Sequence, residues 1–232
     1  MRKKTHLKTT AIIVAAGNST RMTNQNKIFA ELCGKPVLAH TLQAFELAEA
    51  IDEIVIVTRE ESILLVSDIV KAFGITKASD ILRGGDTRRQ SVKNGIDNAE
   101  ADIIAVHDGA RPCVLPEHID SAVQKAIDCG AAALGTPVVD TLKLADESLI
   151  IKDTVNRENL WHIQTPQVFR YDIIKNAHDT AERDGIEATD DCALVEAAGD
   201  AVCIVRGAAN NIKITTQEDI FTAERILEAM EL

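Results

Sequence analysis

Three short runs of almost unbroken apolar residues, 11–15, 54–58 and 103–107, are separated by stretches with helical rather than alternating periodicity. A strand that is apolar on both faces must be covered on both, as in a parallel sheet between two layers of helices. Leu38, Leu42 and Phe45 recur at i, i+4 and i+7 after Pro36, so residues 36 to about 50 read as an amphipathic helix. That completes a strand–helix–strand unit. Segments 62–72, 88–99 and 116–129 also read as helices, with Gly74 and Gly130 as stops. Further strands are expected at 131–138 and 201–206. A C-terminal helix follows Thr216, with Ile220, Ala223, Leu227 and Met230 on one apolar stripe and Glu218 and Asp219 in a capping arrangement. This helix is expected to pack on the sheet. The order predicts a doubly wound α/β fold, with a mostly parallel central sheet and helices on both faces. Residues 139–165 are polar, alternate weakly and contain the only tryptophan, Trp161; they read as an arm on a single domain spanning 1–232.

At 232 residues the chain can bury a sizeable core without a second full domain. Its formal charge of −11 argues against a nucleic-acid polymer as partner, because a phosphate backbone calls for a basic surface. A small anionic ligand requires only local islands of Arg and Lys beside backbone donors. The apolar run after the basic start is too short for a signal sequence, and no stretch approaches the roughly 20 apolar residues of a membrane span. A cytoplasmic protein with no membrane contact is therefore expected. The five cysteines are odd in number and lack CxxC spacing, which argues against a disulfide framework or zinc site. They are expected to be reduced and mostly buried.

Three loops carry candidate chemistry. Ala15-Ala16-Gly17-Asn18-Ser19-Thr20-Arg21-Met22 follows the first strand, where small residues let backbone amides approach a phosphate chain. Arg21 supplies a fork of donors and Lys27 a point charge. The plain alternative is a glycine turn with solvated cations. Neither GxxxxGK[ST] nor GxGxxG is present, so the P-loop and dinucleotide readings lose support. The second loop, Gly84-Gly85-Asp86-Thr87-Arg88-Arg89-Gln90-Ser91, could read a base or ribose at a helix start, or Asp86 could simply be the helix cap. The third, His107-Asp108-Gly109-Ala110-Arg111-Pro112, ends a strand at the same sheet edge as the first loop. One carboxylate plus phosphate oxygens is a usual way to hold Mg²⁺. His107 reads as a satisfied core residue rather than a base. Asp140-Thr141-Leu142-Lys143 and Thr154-Val155-Asn156-Arg157 could grip a second phosphate or form a solvated hairpin. Thr189-Asp190-Asp191 reads equally as a helix cap, and Lys213 as an exposed strand residue.

Together these segments resemble the 2-C-methyl-D-erythritol 4-phosphate cytidylyltransferases. The resemblance runs from residue 11 to about 224 and is most specific at His107 to Pro112, Asp140 to Lys143, and Leu160-Trp161-His162-Ile163-Gln164-Thr165-Pro166-Gln167. It implies a Rossmann-like nucleotidyltransferase fold with an extended β-arm that swaps across a homodimer. It also implies CTP contacts at Ala15, Ala16, Gly17, Arg21, Lys27, Gly85, Asp86 and Ser91, and a Mg²⁺ ligand at Asp108. The polyol-phosphate contacts it implies are Thr141, Arg157, Thr189 and Lys213, with Arg111 nearby. Arg21, Lys27 and Arg157 are the implied catalytic cations. The chain departs from the family pattern at Ser19, Asn26 and Asn210, where glycine, proline and aspartate are common. A ribitol 5-phosphate cytidylyltransferase, a hexose 1-phosphate nucleotidylyltransferase and a silent nucleotide sensor are the competing readings.

Overall fold

The computed structural model describes residues 6–17 and 27–230. Its strands are β1 (Thr9–Val14), β2 (Glu31–Leu32), β3 (Lys35–Pro36), β4 (Glu53–Thr58), β5 (Ala78–Arg83), β6 (Ile103–Asp108), β7 (Ala131–Pro137), β8 (Leu142–Ala145), β9 (Ile151–Val155), β10 (Trp161–Arg170) and β11 (Cys203–Arg206). Its α-helices are α1 (Val37–Leu47), α2 (Ile63–Ala72), α3 (Arg88–Asn98), α4 (Pro116–Cys129), α5 (Tyr171–Asp184), α6 (Asp191–Ala197) and α7 (Gln217–Met230).

A seven-stranded sheet in the order β11-β7-β10-β6-β1-β4-β5 forms the frame. β1 is parallel to β4 and β6, β4 to β5, and β7 to β11, while β10 runs antiparallel to both its neighbours. The expected mostly parallel sheet is thus present. Ile12 and Ile13 are both fully buried but face opposite layers. Ile13 packs with Leu38, Phe45 and Val123 from α1 and α4, and Ile12 with Val92, Ile96, Ile174 and Leu194 from α3, α5 and α6. Double coverage is the reason the strand sequence shows no alternation. α3 comes especially close: a Cβ added at Gly95 would lie 2.6 Å from Cγ2 of Ile12.

Several elements differ from expectation. β5 is an edge strand whose residues are all at least partly exposed, so it carries no apolar run. α5 buries Ile174, Ala177, His178 and Ala181, a face too small and too polar to stand out in the sequence. α7 packs not on the main sheet but on the β2–β3 ribbon: Ile220 and Ala223 cluster with Leu32, Val37, Cys113 and Ile214. Its capping is as expected, with Asp219 Oδ2 accepting from the backbone N–H groups of Thr215 and Thr216. Of the five cysteines Cys113 and Cys192 are buried, Cys203 is half-buried, and Cys33 and Cys129 are exposed, against the expectation of mostly buried thiols.

The polar 139–165 segment divides. β8 and β9 form a separate two-stranded hairpin. Trp161, His162 and Ile163 instead pair with Pro137, Thr136 and Gly135 of β7, which puts 161–165 in the main sheet rather than in the arm. A Gly95→Ala variant should lose about 1–3 kcal/mol of stability through overpacking against Ile12. Urea denaturation checks this; a midpoint equal to the parent's would mean that the α3–β1 contact can relax.

Candidate functional site

The parallel order brings the carboxyl ends of β1, β5 and β6 to one edge, where ligands of open α/β sheets bind. A cavity of about 330 Å³ opens there, lined by Ala15, Ala16 and Gly17 after β1, Gly85, Asp86 and Ser91 after β5, and Asp108 at the end of β6. Lys27 and Lys213 complete its cationic wall, so most of the residues expected at the nucleotide converge on it. Arg21, Ser19 and Asn26 lie outside the described residues. Thr87 and Arg88 also line the cavity and were not singled out by the sequence as site residues.

Close backbone approach builds this cavity. A Cβ on Gly84 would lie 2.5 Å from the Ala16 Cβ and 2.9 Å from the Ser91 Oγ, so only glycine lets the second loop meet the first. Arg59, following β4, donates to the carbonyls of Ala16 and Gly17 and fixes the first loop from its carbonyl side. Thr87, not Asp86, caps α3: its side chain accepts from the Gln90 N–H while Gln90 reaches back to the Thr87 N–H. The buried Ser91 Oγ accepts from the Gly85 N–H, locking the turn.

Asp108 is the electrostatic centre. It is 8% exposed, and Lys213 Nζ lies 2.7 Å from it, Arg88 Nε 3.6 Å and Arg111 Nε 3.8 Å. Burial alone would raise its pKa, but Lys213 and Arg88, with Arg111, outweigh that and hold it at about 2. It is therefore a carboxylate at any physiological pH. Among the described residues no group of three His, Cys, Asp or Glu side chains could hold a metal by itself. One ionised carboxylate facing a phosphate-sized cavity suits Mg²⁺, which is commonly held by one or two carboxylates together with substrate phosphates.

A second cavity, about 710 Å³, adjoins the first through Lys213 and is lined by Arg111, Thr136, His162, Gln164 and Arg206. Arg206 stands 6.0 Å over the Trp161 ring. The remaining expected contacts are not gathered here within one chain. Thr141 and Arg157 are exposed on the arm segment, where Arg157 donates to the Val139 carbonyl. Thr189 is exposed beside Asp190, whose side chain caps α6 by accepting from the Ala193 N–H, so the capping reading of that segment applies.

His107 is a core residue, as expected. It is fully buried, its ring lies 4.8 Å from that of Phe45, and burial drives its pKa down to about 3. Thr165 Oγ1 accepts from the Asp108 N–H and pairs with His107 Nδ1, so the hydroxyl proton goes to Nδ1 and His107 Nε2–H faces the Arg111 carbonyl.

The stretch 164–167 ties the loops together. The register of β10 against β7 shifts between Ile163 and Gln167, so the intervening residues leave the ladder and aim elsewhere. Gln164 donates to Ala208 O and accepts from Asn211, within the strap that carries Lys213. Gln167 donates to Asp190 and accepts from the N–H groups of Asp191 and Cys192 at the start of α6. The motif was legible in the sequence; its role as a hub depends on the bulge. Thr165→Val should cost about 1–3 kcal/mol, because it orphans a buried N–H and a buried ring nitrogen together. A urea midpoint indistinguishable from the parent's would contradict this bonding.

A family model for 2-C-methyl-D-erythritol 4-phosphate cytidylyltransferase matches residues 9–229. The enzyme of that name from Caldanaerobacter subterraneus is 47% identical over 221 residues, covering 94% of this chain and 97% of its own. Its namesake from Pelotomaculum thermopropionicum is 44% identical over 229 residues, covering 97% and 96%. Among solved structures, the 4-diphosphocytidyl-2C-methyl-D-erythritol synthase of Anaerococcus prevotii superposes with a TM-score of 0.85 at 29% identity, over 96% of this chain and 97% of that one. The 2-C-methyl-D-erythritol 4-phosphate cytidylyltransferase of Thermus thermophilus gives 0.78 at 31%, over 94% and 98%.

Proposed function

The chain belongs to the 2-C-methyl-D-erythritol 4-phosphate cytidylyltransferase family, and from that premise we propose that it transfers CMP from CTP to 2-C-methyl-D-erythritol 4-phosphate. The products are 4-diphosphocytidyl-2-C-methyl-D-erythritol and pyrophosphate, in the synthesis of isoprenoid precursors. The observation that carries the reading is the junction of the two cavities. Lys213 lines both and pairs with Asp108, so a triphosphate in the smaller cavity and a polyol phosphate in the larger would meet there.

In the reaction a phosphate oxygen of the polyol phosphate attacks the α-phosphorus of CTP, and the bond to the β-phosphate oxygen breaks, with pyrophosphate carrying off the electron pair. The attacking oxygen is already anionic near neutral pH, so no general base is needed. Catalysis then rests on positioning and charge stabilisation. Lys27 and Arg21 neutralise the α-phosphate and the departing pyrophosphate, and backbone donors of the loops at 15–17 and 85–91 seat the nucleotide. Asp108 would be the protein ligand for Mg²⁺, which when bound supplies Lewis-acid stabilisation of the phosphate oxygens. Arg111 and Lys213 draw the acceptor phosphate toward the junction.

The arm supports a homodimer in which Thr141 and Arg157 serve the partner's site. Val139 is 72% exposed, Leu149 86% and Ile151 60%, and a hairpin with that much bare apolar surface calls for a covering partner. Thr189 would complete the acceptor phosphate's contacts. No described helix is long and apolar enough to cross a membrane, and a reaction between two charged, water-borne substrates fits a cytoplasmic enzyme.

Pyrophosphate release from CTP, assayed with methylerythritol phosphate against ribitol 5-phosphate and with and without Mg²⁺, tests the reading. Methylerythritol phosphate should be strongly preferred in the presence of Mg²⁺; activity confined to ribitol phosphate would overturn the substrate. Lys27→Ala should lower kcat roughly 100-fold or more, the usual loss for one charge-stabilising donor, and near-parental turnover would remove Lys27 from the chemistry. Arg157→Ala should weaken the polyol phosphate far more than CTP. Mixing the impaired Lys27→Ala and Arg157→Ala proteins at limiting polyol phosphate should restore activity above that of either alone, because a hybrid dimer contains one complete site; no recovery after subunit exchange would place Arg157 in its own chain's site.

A further inference from the structure

Arg88 is a cation in the first turn of α3, where no acidic residue is present and where the helix dipole disfavours positive charge. Its offset comes from across the fold. Nη1 of Arg88 lies 2.8 Å from Oδ2 of Asp191, a fully buried carboxylate whose other oxygen is 3.0 Å from Nε2 of the fully buried His178. Asp191 is further held by Gln167, which accepts its backbone N–H. The opposite side of the same guanidinium points its Nε toward Asp108, and Arg88 lines the nucleotide cavity.

A tie between α3, α5 and α6 does not require these charges. The three helices already share an apolar cluster around Val92, Ile96, Ile174 and Leu194, and a buried ion pair is often no more stabilising than apolar residues of similar volume. What the charges add is direction. A guanidinium placed between two carboxylates, one of them fully buried and held by His178 and Gln167, restricts where the other can point. Lys213 and Arg111 reach Asp108 from its other sides, but Arg88 is the one anchored from behind by a fully buried carboxylate.

We propose that Asp191, backed by His178, is a positioning residue for the transfer: it fixes the Arg88 guanidinium, and Arg88 in turn holds the Asp108 carboxylate toward the reacting phosphates. This rests on the functional reading above, in which Asp108 faces those phosphates. Arg88 and Asp191 then act as one unit, so removing either should do what removing both does.

A double-mutant cycle on the full-length chain with Asp191→Asn and Arg88→Lys tests it. The first keeps the shape of Asp191 and removes its charge. The second keeps the charge of Arg88 but gives a single ammonium, which cannot span both carboxylates. Each should lower kcat at saturating substrates roughly 10-fold to 100-fold, as for loss of a group that orients a ligand carboxylate. Each should leave CTP affinity, titrated calorimetrically, within about 3-fold of the parent, since no charge facing the nucleotide is lost. The double variant should be no slower than the slower single one by more than about 2-fold, the mark of strong coupling. Losses that multiply, a single variant with parental kcat, or a loss confined to CTP affinity would each overturn the proposal. Should Asp191→Asn fail to fold, Arg88→Lys decides alone: reduced kcat at unchanged CTP affinity supports it, and parental turnover overturns it. Failure of the functional reading would show differently, as an inactive parent chain.

Discussion

A carboxylate buried to 8% exposure at the end of a central strand must be neutralised by cations, and this requirement organises the carboxyl edge of the sheet. The cations around Asp108 come from segments far apart in the chain: Arg88 opens α3, Arg111 follows β6, and Lys213 lies on the strap after β11. Each must be delivered to within 4 Å of one side chain. The loops that carry them are therefore pinned by hydrogen bonds that have no other evident purpose. Arg111 Nη1 donates to Asn211 O, and the Ile214 N–H donates to Ala110 O, joining the Lys213 strap to the loop after β6.

The pinning converges on one antiparallel strand. β10 is inserted between β6 and β7, and its bulge lets adjacent side chains serve separate loops: Gln164 the strap, Thr165 the backbone of Asp108, and Gln167 the start of α6. In a regular strand, neighbours at this spacing would alternate between two faces and could not all reach the same edge. The parallel strands supply the sites, and the antiparallel one holds them in register. A single slip of β10 would misplace Lys213, Asp108 and Asp191 together.

Charge balance follows the same plan. The protein is strongly acidic, yet the cavities are walled by Lys27, Arg88, Arg111, Arg206 and Lys213. The electropositive region is thus local, suited to small anions rather than to an extended polyanion. His107, although next to Asp108, is kept neutral by burial and holds the strand end in place through Thr165.

Much of this was written in the chain. Apolar runs at β1, β4 and β6 specify strands buried on both faces, the turns after β1 and β5 carry Gly17 and Gly85, where backbone can come close to a ligand, and Asp108 closes β6. β5 and α5 were silent because an edge strand and a helix that buries alanines and a histidine leave little hydrophobic signal. The pairing of Arg88, a member of a candidate loop, with Asp191, a member of a candidate helix cap, and with His178 was silent for a deeper reason. Each is an ordinary polar residue in its own segment, and their meaning lies in contacts spanning 103 and 13 positions. The sequence determined by itself which segments are the strands buried on both faces, which loops carry glycines beside cations or a carboxylate, and which family the motifs resemble, because those follow from local periodicity and residue type. Only the tertiary structure decided which cations surround Asp108, that residues 161–165 belong to the sheet, and that α7 rests on the ribbon. Those depend on register and long-range packing, which local pattern does not encode.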